Sequence, residues 1–153
     1  ILKGCDMRFI IWLIAILIFD PVYASEILVS NKTRTLTYFE NGNKVKTYNV
    51  AVGKPSLQWS SVYQVSRKAV WPTWIPTVAQ HRRKKLPLVV KGGPKSPLGA
   101  RALYLGNSLY RIHGTNNPSS IGKAVSNGCI RMLNSDIIEL YPRISVGTRV
   151  IVR

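Results

Sequence analysis

Two side chains in this sequence have the chemistry of a nucleophile and its base. Cys129 and His113 lie sixteen positions apart, and the chain contains only two cysteines and two histidines. A thiol that attacks a carbonyl needs a base to take its proton and backbone N–H groups to hold the resulting oxyanion. His113 is the candidate base. The turn of Asn127 and Gly128 is the candidate source of N–H groups, because glycine lets the backbone approach a substrate closely.

The residues around this pair resemble a known family signature. The string from Ser126 to Met132 reads Ser-Asn-Gly-Cys-Ile-Arg-Met, and His113 is followed by Gly114. At this spacing the string is similar to the signature of L,D-transpeptidases with a YkuD-type catalytic domain, where a second histidine is common at the position of Asn127. The resemblance covers most of residues 26–153. It implies a cysteine acyl-enzyme that acts on peptidoglycan stem peptides in cell-wall cross-linking or attachment.

The resemblance also implies a ping-pong reaction. Cys129 attacks the carbonyl that follows the L-centre of the third-position diamino acid, expels D-alanine and passes the acyl group to an amine. His113 deprotonates the thiol and later protonates the leaving amine, and pairing with His113 as an imidazolium raises the thiolate fraction. The orienting group for the imidazole is the carbonyl of Gly114.

Four further residues complete the expected oxyanion and substrate-binding set. Backbone N–H groups around Gly128 and Cys129 hold the oxyanion. Ser126 is expected to hydrogen-bond within the loop, and Asn127 is a tolerated variant beside the substrate. Arg131 lies two residues after the nucleophile, so it shares the strand face of Cys129. It either binds a substrate carboxylate or braces the loop, and bracing is favoured.

The N-terminal segment indicates the cellular location of the protein. Arg8 precedes eleven apolar residues from Phe9 to Phe19, about half the length of a membrane-spanning helix. This predicts a secretory signal peptide over residues 1–24, with residues 1–6 upstream of a start at Met7. An uncleaved membrane anchor and a buried core helix are the alternatives. The mature domain, residues 25–153, is then exported to the periplasm or cell wall, with no stable membrane span.

Charge and cysteine usage restrict the partners. The 22 basic and 6 acidic residues give a net charge of +16, which favours anionic partners. Nucleic acid is disfavoured because of the export signal, and because the basic residues are scattered along the chain and do not follow one reading element. Cleavage of the leader removes Cys5 and leaves Cys129 as a lone thiol. Two histidines and one cysteine cannot form the usual zinc spacings, so no metal and no cofactor are expected.

Alternating hydrophobicity from Ser25 onward predicts a mainly β fold. With the resemblance, the prediction is a YkuD-like β-sandwich of mixed sheets with one or two short helices near the active site. Asn41-Gly42 predicts a hairpin. Asn117-Pro118 predicts a helix to Lys123, and Asn134 is the predicted N-cap of a helix over Ser135–Tyr141. Strands are predicted at 27–29, 35–40, 45–52, 62–71, 98–106, 108–113 and 146–152.

Two segments depart from these patterns. Residues 72–99, rich in proline and glycine, are predicted to be a long connection, and their basic run at 81–85 is either a solvated charge cluster or a flexible lip that attracts carboxylates. At residues 57–61 the chain has Leu-Gln-Trp-Ser-Ser where the family usually has Pro-Thr-Pro-x-Gly. That difference affects the expected shape of the cleft.

The sequence leaves three hypotheses for the function. Transpeptidation is favoured, with another stem peptide, a lipoprotein lysine or a D-amino acid as acceptor. L,D-carboxypeptidase-type hydrolysis uses the same groups with water as acceptor. An inactive basic wall-binding module is the reading from a different class.

Overall fold

The computed structural model describes residues 25–153, and the predicted leader at 1–24 lies outside them. The strands in this range are β1 (Ser25–Ser30), β2 (Thr35–Glu40), β3 (Asn43–Asn49), β4 (Val52–Gly53), β5 (Ser61–Val70), β6 (Arg101–Leu105), β7 (Arg111–His113), β8 (Ala124–Ser126), β9 (Ile130–Arg131) and β10 (Arg149–Val152). The α-helices are α1 (Val78–Lys84) and α2 (Asn134–Leu140), and 3-10 turns lie at Pro55–Leu57, Pro118–Ser120 and Tyr141–Arg143.

One mixed sheet dominates the architecture. Its eight strands lie in the order β3-β2-β1-β10-β5-β6-β7-β9. The pairs β1–β10 and β7–β9 are parallel and the others are antiparallel. A second, small sheet pairs β4 with β8 in parallel. The predicted mainly β fold with mixed sheets and two short helices is confirmed.

Alternation along the first strands explains why they form. Ile27 and Val29 of β1, and Leu36 and Tyr38 of β2, are buried on one face, with the intervening residues more exposed. Burial of each such side chain stabilises the fold by about 1.5–3 kcal/mol. The predicted hairpin between β2 and β3 is confirmed, and Asn41 and Gly42 adopt the positive φ values, 50° and 77°, that its tight turn requires.

Helix α1 lies within the long connection predicted over residues 72–99, where the sequence did not predict a helix. Thr77 caps its N-terminus, and Gln80 completes a capping box with Thr77. The basic run that suggested a solvated loop is the last turn of this helix, where cations interact favourably with the helix dipole. None of the residues of α1 is buried, so the helix lacks the apolar stripe by which sequence patterns reveal helices.

The predicted helix from Pro118 to Lys123 was too long. Only the 3-10 turn at Pro118–Ser120 forms. Gly122 then donates to the Val50 carbonyl at 3.0 Å, and Val52 donates to the Lys123 carbonyl at 3.0 Å. These backbone bonds draw the chain into the small sheet, where Ala124 pairs with Val52.

Asn134 does not cap α2 as predicted, because Leu133 occupies the N-cap position. The Asn134 side chain instead joins α2 to the strand ends. Its Oδ1 accepts the N–H of Ala100 at 3.0 Å and the N–H of Thr115 at 3.1 Å. Both of those residues are buried, so these N–H groups have no access to water as a substitute acceptor.

Replacing Asn134 by Ala is therefore expected to lower the free energy of unfolding by about 2–5 kcal/mol, because two buried donors lose their acceptor. Asn134→Asp keeps an acceptor oxygen and is the matched control, expected to be closer to wild type. Urea unfolding of the three proteins measures the difference. Equal stability of the alanine variant and the wild type would contradict the bridging role.

Candidate active site

His113 is fixed at the end of β7. It pairs with Ala102 of β6 and with Arg131 of β9, and its side chain is buried. Its Nδ1 lies 2.5 Å from the carbonyl oxygen of Gly114. Because a carbonyl only accepts hydrogen bonds, Nδ1 carries the proton of the neutral ring, and Nε2 is left able to accept one.

The surroundings of His113 keep its imidazole neutral. Burial lowers its pKa to about 4, and the charges of Arg131 and Arg111 act in the same direction. The hydrogen bond to the Gly114 carbonyl opposes them but is outweighed. A neutral imidazole at pH 7 is competent as a general base. The resting state therefore differs from the predicted imidazolium–thiolate pair.

The nucleophile turn requires glycine before the cysteine. Gly128 has a φ of 114°, and a Cβ there would lie 2.7 Å from Cε1 of Tyr110. Ser126 ties the turn together, since its hydroxyl donates to the Cys129 carbonyl at 2.6 Å and accepts the Gly128 N–H at 3.1 Å. Ser126 thus makes loop hydrogen bonds, in agreement with the expectation from the sequence.

The same contacts refine the expected oxyanion site. The N–H of Gly128 is engaged with Ser126, whereas the N–H of Cys129 has no hydrogen-bond acceptor among residues 25–153. The donor left open by the turn is therefore that of Cys129 itself. The thiol is half-buried, and its Sγ lies 3.7 Å from the Leu109 carbonyl oxygen. Burial raises the pKa of Cys129, while the charge of Arg111 opposes that rise.

Residues 57–61, which depart from the family pattern, pack against this turn. Trp59 Nε1 donates to the Gly128 carbonyl at 2.9 Å. The Trp59 ring stacks on Tyr110, with centroids 4.3 Å apart, and Tyr110 is the ring that lies against Gly128. The unusual segment therefore supports the nucleophile turn through one hydrogen bond and one aromatic stack.

Trp59→Phe is expected to slow acylation of Cys129 about tenfold, because the ring can still stack while the hydrogen bond to the nucleophile turn is lost. The free energy of unfolding should fall by about 1 kcal/mol. Trp71→Phe is the matched control, since Trp71 does not line the groove of Cys129. Stopped-flow acylation rates and urea unfolding test both effects. An unchanged acylation rate in Trp59→Phe would show that the bond does not position the turn.

Cys129 and His113 line one open groove of about 240 Å3. Of the predicted site residues, the groove also contains Ser126, Asn127 and Arg131. Gly114 and Gly128 are buried and do not line the groove. The lining residues that sequence reasoning missed are Trp74, Ile75, Thr77, Gln80, Pro97, Leu98, Leu109 and Arg111.

Comparison with known proteins shows the family. Residues 24–152 match YkuD, the L,D-transpeptidase catalytic domain. The chain belongs to the YkuD family. The resemblance carried by the His113 and Cys129 motifs is thereby confirmed.

Family relatives include curated proteins and solved structures. The chain is 38% identical over 140 residues to the probable L,D-transpeptidase YbiS of Escherichia coli, covering 86% of this chain and 45% of YbiS. It is 43% identical over 124 residues to the putative L,D-transpeptidase YkuD of Bacillus subtilis, covering 81% of this chain and 63% of that protein. An Enterococcus faecium L,D-transpeptidase mutant shares the fold, with a TM-score of 0.69 at 19% identity, over 86% of this chain and 50% of that one. The chain spans about half the length of YbiS and of the Enterococcus faecium protein.

Arg111 is the missed groove residue that the sequence could have revealed. It lies two residues before His113 on β7, and side chains two apart on a strand share a face. The residues from Trp74 to Gln80 gave no such signal. They reach the groove only because the segment after β5 folds into α1 and lies beside the strand ends.

The described residues carry neither a metal cluster nor a membrane helix. No group of His, Cys, Asp and Glu within residues 25–153 is arranged to hold a metal ion. No helix of this range is long and apolar enough to cross a bilayer. His81, the second histidine, contacts the Leu86 carbonyl through Nδ1 at the end of α1.

Proposed function

We propose that this protein is an exported L,D-transpeptidase that acts on peptidoglycan stem peptides through an acyl-enzyme on Cys129. The observation that carries the proposal is the meeting of three groups in one groove. These are a half-buried thiol, a neutral imidazole held by the Gly114 carbonyl, and the unengaged N–H of Cys129. Membership of the YkuD family supports the same chemistry.

In the first half-reaction, Nε2 of His113 takes the thiol proton and Sγ of Cys129 bonds to the stem-peptide carbonyl carbon. The oxyanion accepts the N–H of Cys129. As the tetrahedral intermediate collapses, His113 returns its proton to the leaving nitrogen and D-alanine departs. A thioester remains on Cys129.

In the second half-reaction, an acceptor amine attacks the thioester. The neutral His113 takes a proton from the attacking nitrogen and gives it to the sulfur, which restores the thiol. The new peptide bond joins the acyl group to the acceptor. Water in place of the amine would yield the hydrolysis product.

The walls of the groove suit an extended peptide. Trp74, Ile75 and Leu109 provide apolar contact area, and Ile75 and Leu109 are largely exposed in the unliganded groove. Thr77 and Gln80 add polar groups on the α1 side. A groove with apolar walls and a few polar groups that fix orientation is typical of ligand sites.

Incubation of the protein with purified muropeptides, read by mass spectrometry, tests the function. We expect release of D-alanine from tetrapeptide stems and formation of cross-linked dimers. Tripeptide without dimers, even with an added amine, would indicate the carboxypeptidase-type hydrolase. Binding to sacculi that Cys129→Ala leaves unchanged, with no turnover in wild type, would indicate the wall-binding module.

The location is part of the same proposal. A secretory signal over residues 1–24 would deliver the domain of residues 25–153 to the periplasm or cell wall, where its substrate is found. N-terminal sequencing of the exported protein should begin at Ser25. A mature protein that retains the apolar run would indicate a membrane anchor.

A further inference from the structure

We propose that Arg111 and Arg131, the arginine pair, bind the terminal carboxylate of the donor stem peptide and so select stems that end one residue after the attacked bond. The inference rests on the proposed function and deepens it. It assigns a specificity role to Arg111 and a definite ligand to Arg131.

The sheet register brings the arginine pair to the nucleophile. Arg131 of β9 pairs with His113 of β7, and Arg111 lies two residues earlier on β7. Paired residues of neighbouring strands, and residues two apart on one strand, share a face. Arg131 is held firmly there, because its backbone also exchanges two hydrogen bonds of 2.9 Å with Ala51. Both arginines line the groove that contains Cys129.

Within residues 25–153 no carboxylate forms an ion pair with the arginine pair. The side-chain carboxylates of the described residues belong to Glu26, Glu40, Asp136 and Glu139, and none of them lines the groove. Glu26 is bound to Arg149 and Glu139 to Lys46. Nε of Arg111 is buried without a hydrogen-bond partner among residues 25–153. Neither an ion pair nor a side-chain hydrogen bond within that range involves Arg131, and bracing of the loop would require one or the other.

Two partly buried cations without an anion are costly unless a ligand completes the site. Burial raises the pKa of the Cys129 thiol, although the charges of both arginines and the hydrogen bonds of Arg111 to the sulfur oppose that rise. The thiol is therefore a poor substitute for a carboxylate as the partner of the two cations. The planar guanidinium matches a carboxylate with two parallel hydrogen bonds. The missing partner is therefore a carboxylate of the substrate.

Substrate chemistry indicates which carboxylate this is. In a tetrapeptide stem the terminal carboxylate lies only one Cα beyond the nitrogen that leaves. A carboxylate held by the arginine pair would therefore place the attacked carbonyl beside Cys129, which lies between β8 and β9 in the same groove. A stem whose terminus is an amide, or is extended by another residue, would leave both guanidinium groups unpaired.

The first test compares two donors that differ only in the terminal group, a tetrapeptide acid and its amide. We expect wild type to favour the acid about 100-fold in kcat/KM, as loss of a charged hydrogen-bond partner implies. Arg111→Gln should reduce this preference to about tenfold or less, through loss on the acid alone. Equal loss on acid and amide would mean that Arg111 activates the thiol and does not bind substrate, which would overturn the proposal.

The matched control is Arg67→Gln. Arg67 also faces the Tyr104 ring, with its guanidinium carbon 3.6 Å from the centroid compared with 5.5 Å for Arg111, but Arg67 is exposed and does not line the groove. The Arg67→Gln substitution removes the same charge from the same type of residue, and the preference for the acid donor should be retained. Arg111→Lys retains the charge without the planar fork, and an intermediate preference is expected.

A second test does not require turnover. The rate of Cys129 alkylation is measured with anionic iodoacetate and with neutral iodoacetamide, using peptide mass to assign the site. We expect Arg111→Gln to lower the iodoacetate rate about tenfold relative to iodoacetamide, because a cation beside the thiol attracts the anionic reagent. Arg67→Gln should retain the wild-type ratio.

The two tests distinguish failure of the anion site from failure of the proposed function. An unchanged reagent ratio in Arg111→Gln, with near-ultraviolet circular dichroism like that of wild type, would overturn the anion site. A changed ratio without turnover of any stem peptide would refute the proposed function but support the anion site. A changed ratio together with a lost acid preference supports both.

Discussion

Replacing Cys129 by Ala should abolish D-alanine release from tetrapeptide stems, with a loss of at least about 10⁴-fold, because the proposed acyl-enzyme forms on the thiol of Cys129. The fold should survive. The thiol makes only weak polar contacts, with the Leu109 carbonyl at 3.7 Å and with Arg111, and the side chain is half-buried. The free energy of unfolding should therefore change by less than about 1 kcal/mol. Coupled assays of D-alanine and urea unfolding provide the two measurements.

Cys129→Ser sharpens the test. A hydroxyl has nearly the shape of the thiol but is a much weaker nucleophile next to a single neutral imidazole. We expect an activity loss close to that of the alanine variant, and no thioester in the intact mass. Substantial turnover by either variant would show that the acyl-enzyme forms elsewhere or is not formed at all.

Replacing His113 by Gln should lower kcat by about 10²–10⁴-fold, because the groove loses its general base. The wild-type enzyme should keep its base unprotonated to an unusually low pH. Burial and the two arginines lower the pKa of His113 to about 4 from 6.5, so the acidic limb of kcat/KM should lie near pH 4. A limb near pH 6.5 would contradict the buried, neutral ring. His81→Gln in α1 is the control for removal of a histidine outside the groove.

The same pKa predicts how stability depends on pH. In the unfolded chain His113 is protonated below its ordinary pKa of 6.5, whereas in the folded protein its pKa is lowered to about 4. The contribution of this group to the free energy of unfolding should therefore fall between pH 6.5 and pH 4, by up to about 3 kcal/mol. His113→Gln should remove that part of the slope. Urea unfolding at several pH values measures it, and parallel slopes in the two proteins would contradict the prediction.

The catalytic candidates could be predicted from the sequence because they lie in short, contiguous motifs. His113 with Gly114, and Ser126 through Arg131, form short strings whose backbone geometry follows from their own residues, such as the positive φ of Gly128. The hairpin at Asn41 and Gly42 was predictable for the same reason. These features need no knowledge of distant contacts.

Other parts of the site depend on distant contacts. Trp59 reaches the Gly128 carbonyl across 69 positions of sequence. Asn134 is recruited by the N–H groups of Ala100 and Thr115, which overrides its local preference for a cap. Residues 124–126 join β4, which shortens the predicted helix after Pro118. For Asn134 and for the segment after Pro118, tertiary hydrogen bonds prevail over a propensity of about 1 kcal/mol or less.

Strand β10 occupies the middle of the large sheet, between β1 and β5. Because β10 pairs with both β1 and β5, the two halves of the sheet are not joined until residues 149–152 are in place. Residues up to Val152 must therefore be synthesised before the two halves of the sheet can join, and such long-range pairing slows folding. A ribosome-stalled chain that ends before Arg149 should remain sensitive to protease, with the edges of β1 and β5 open to misassembly.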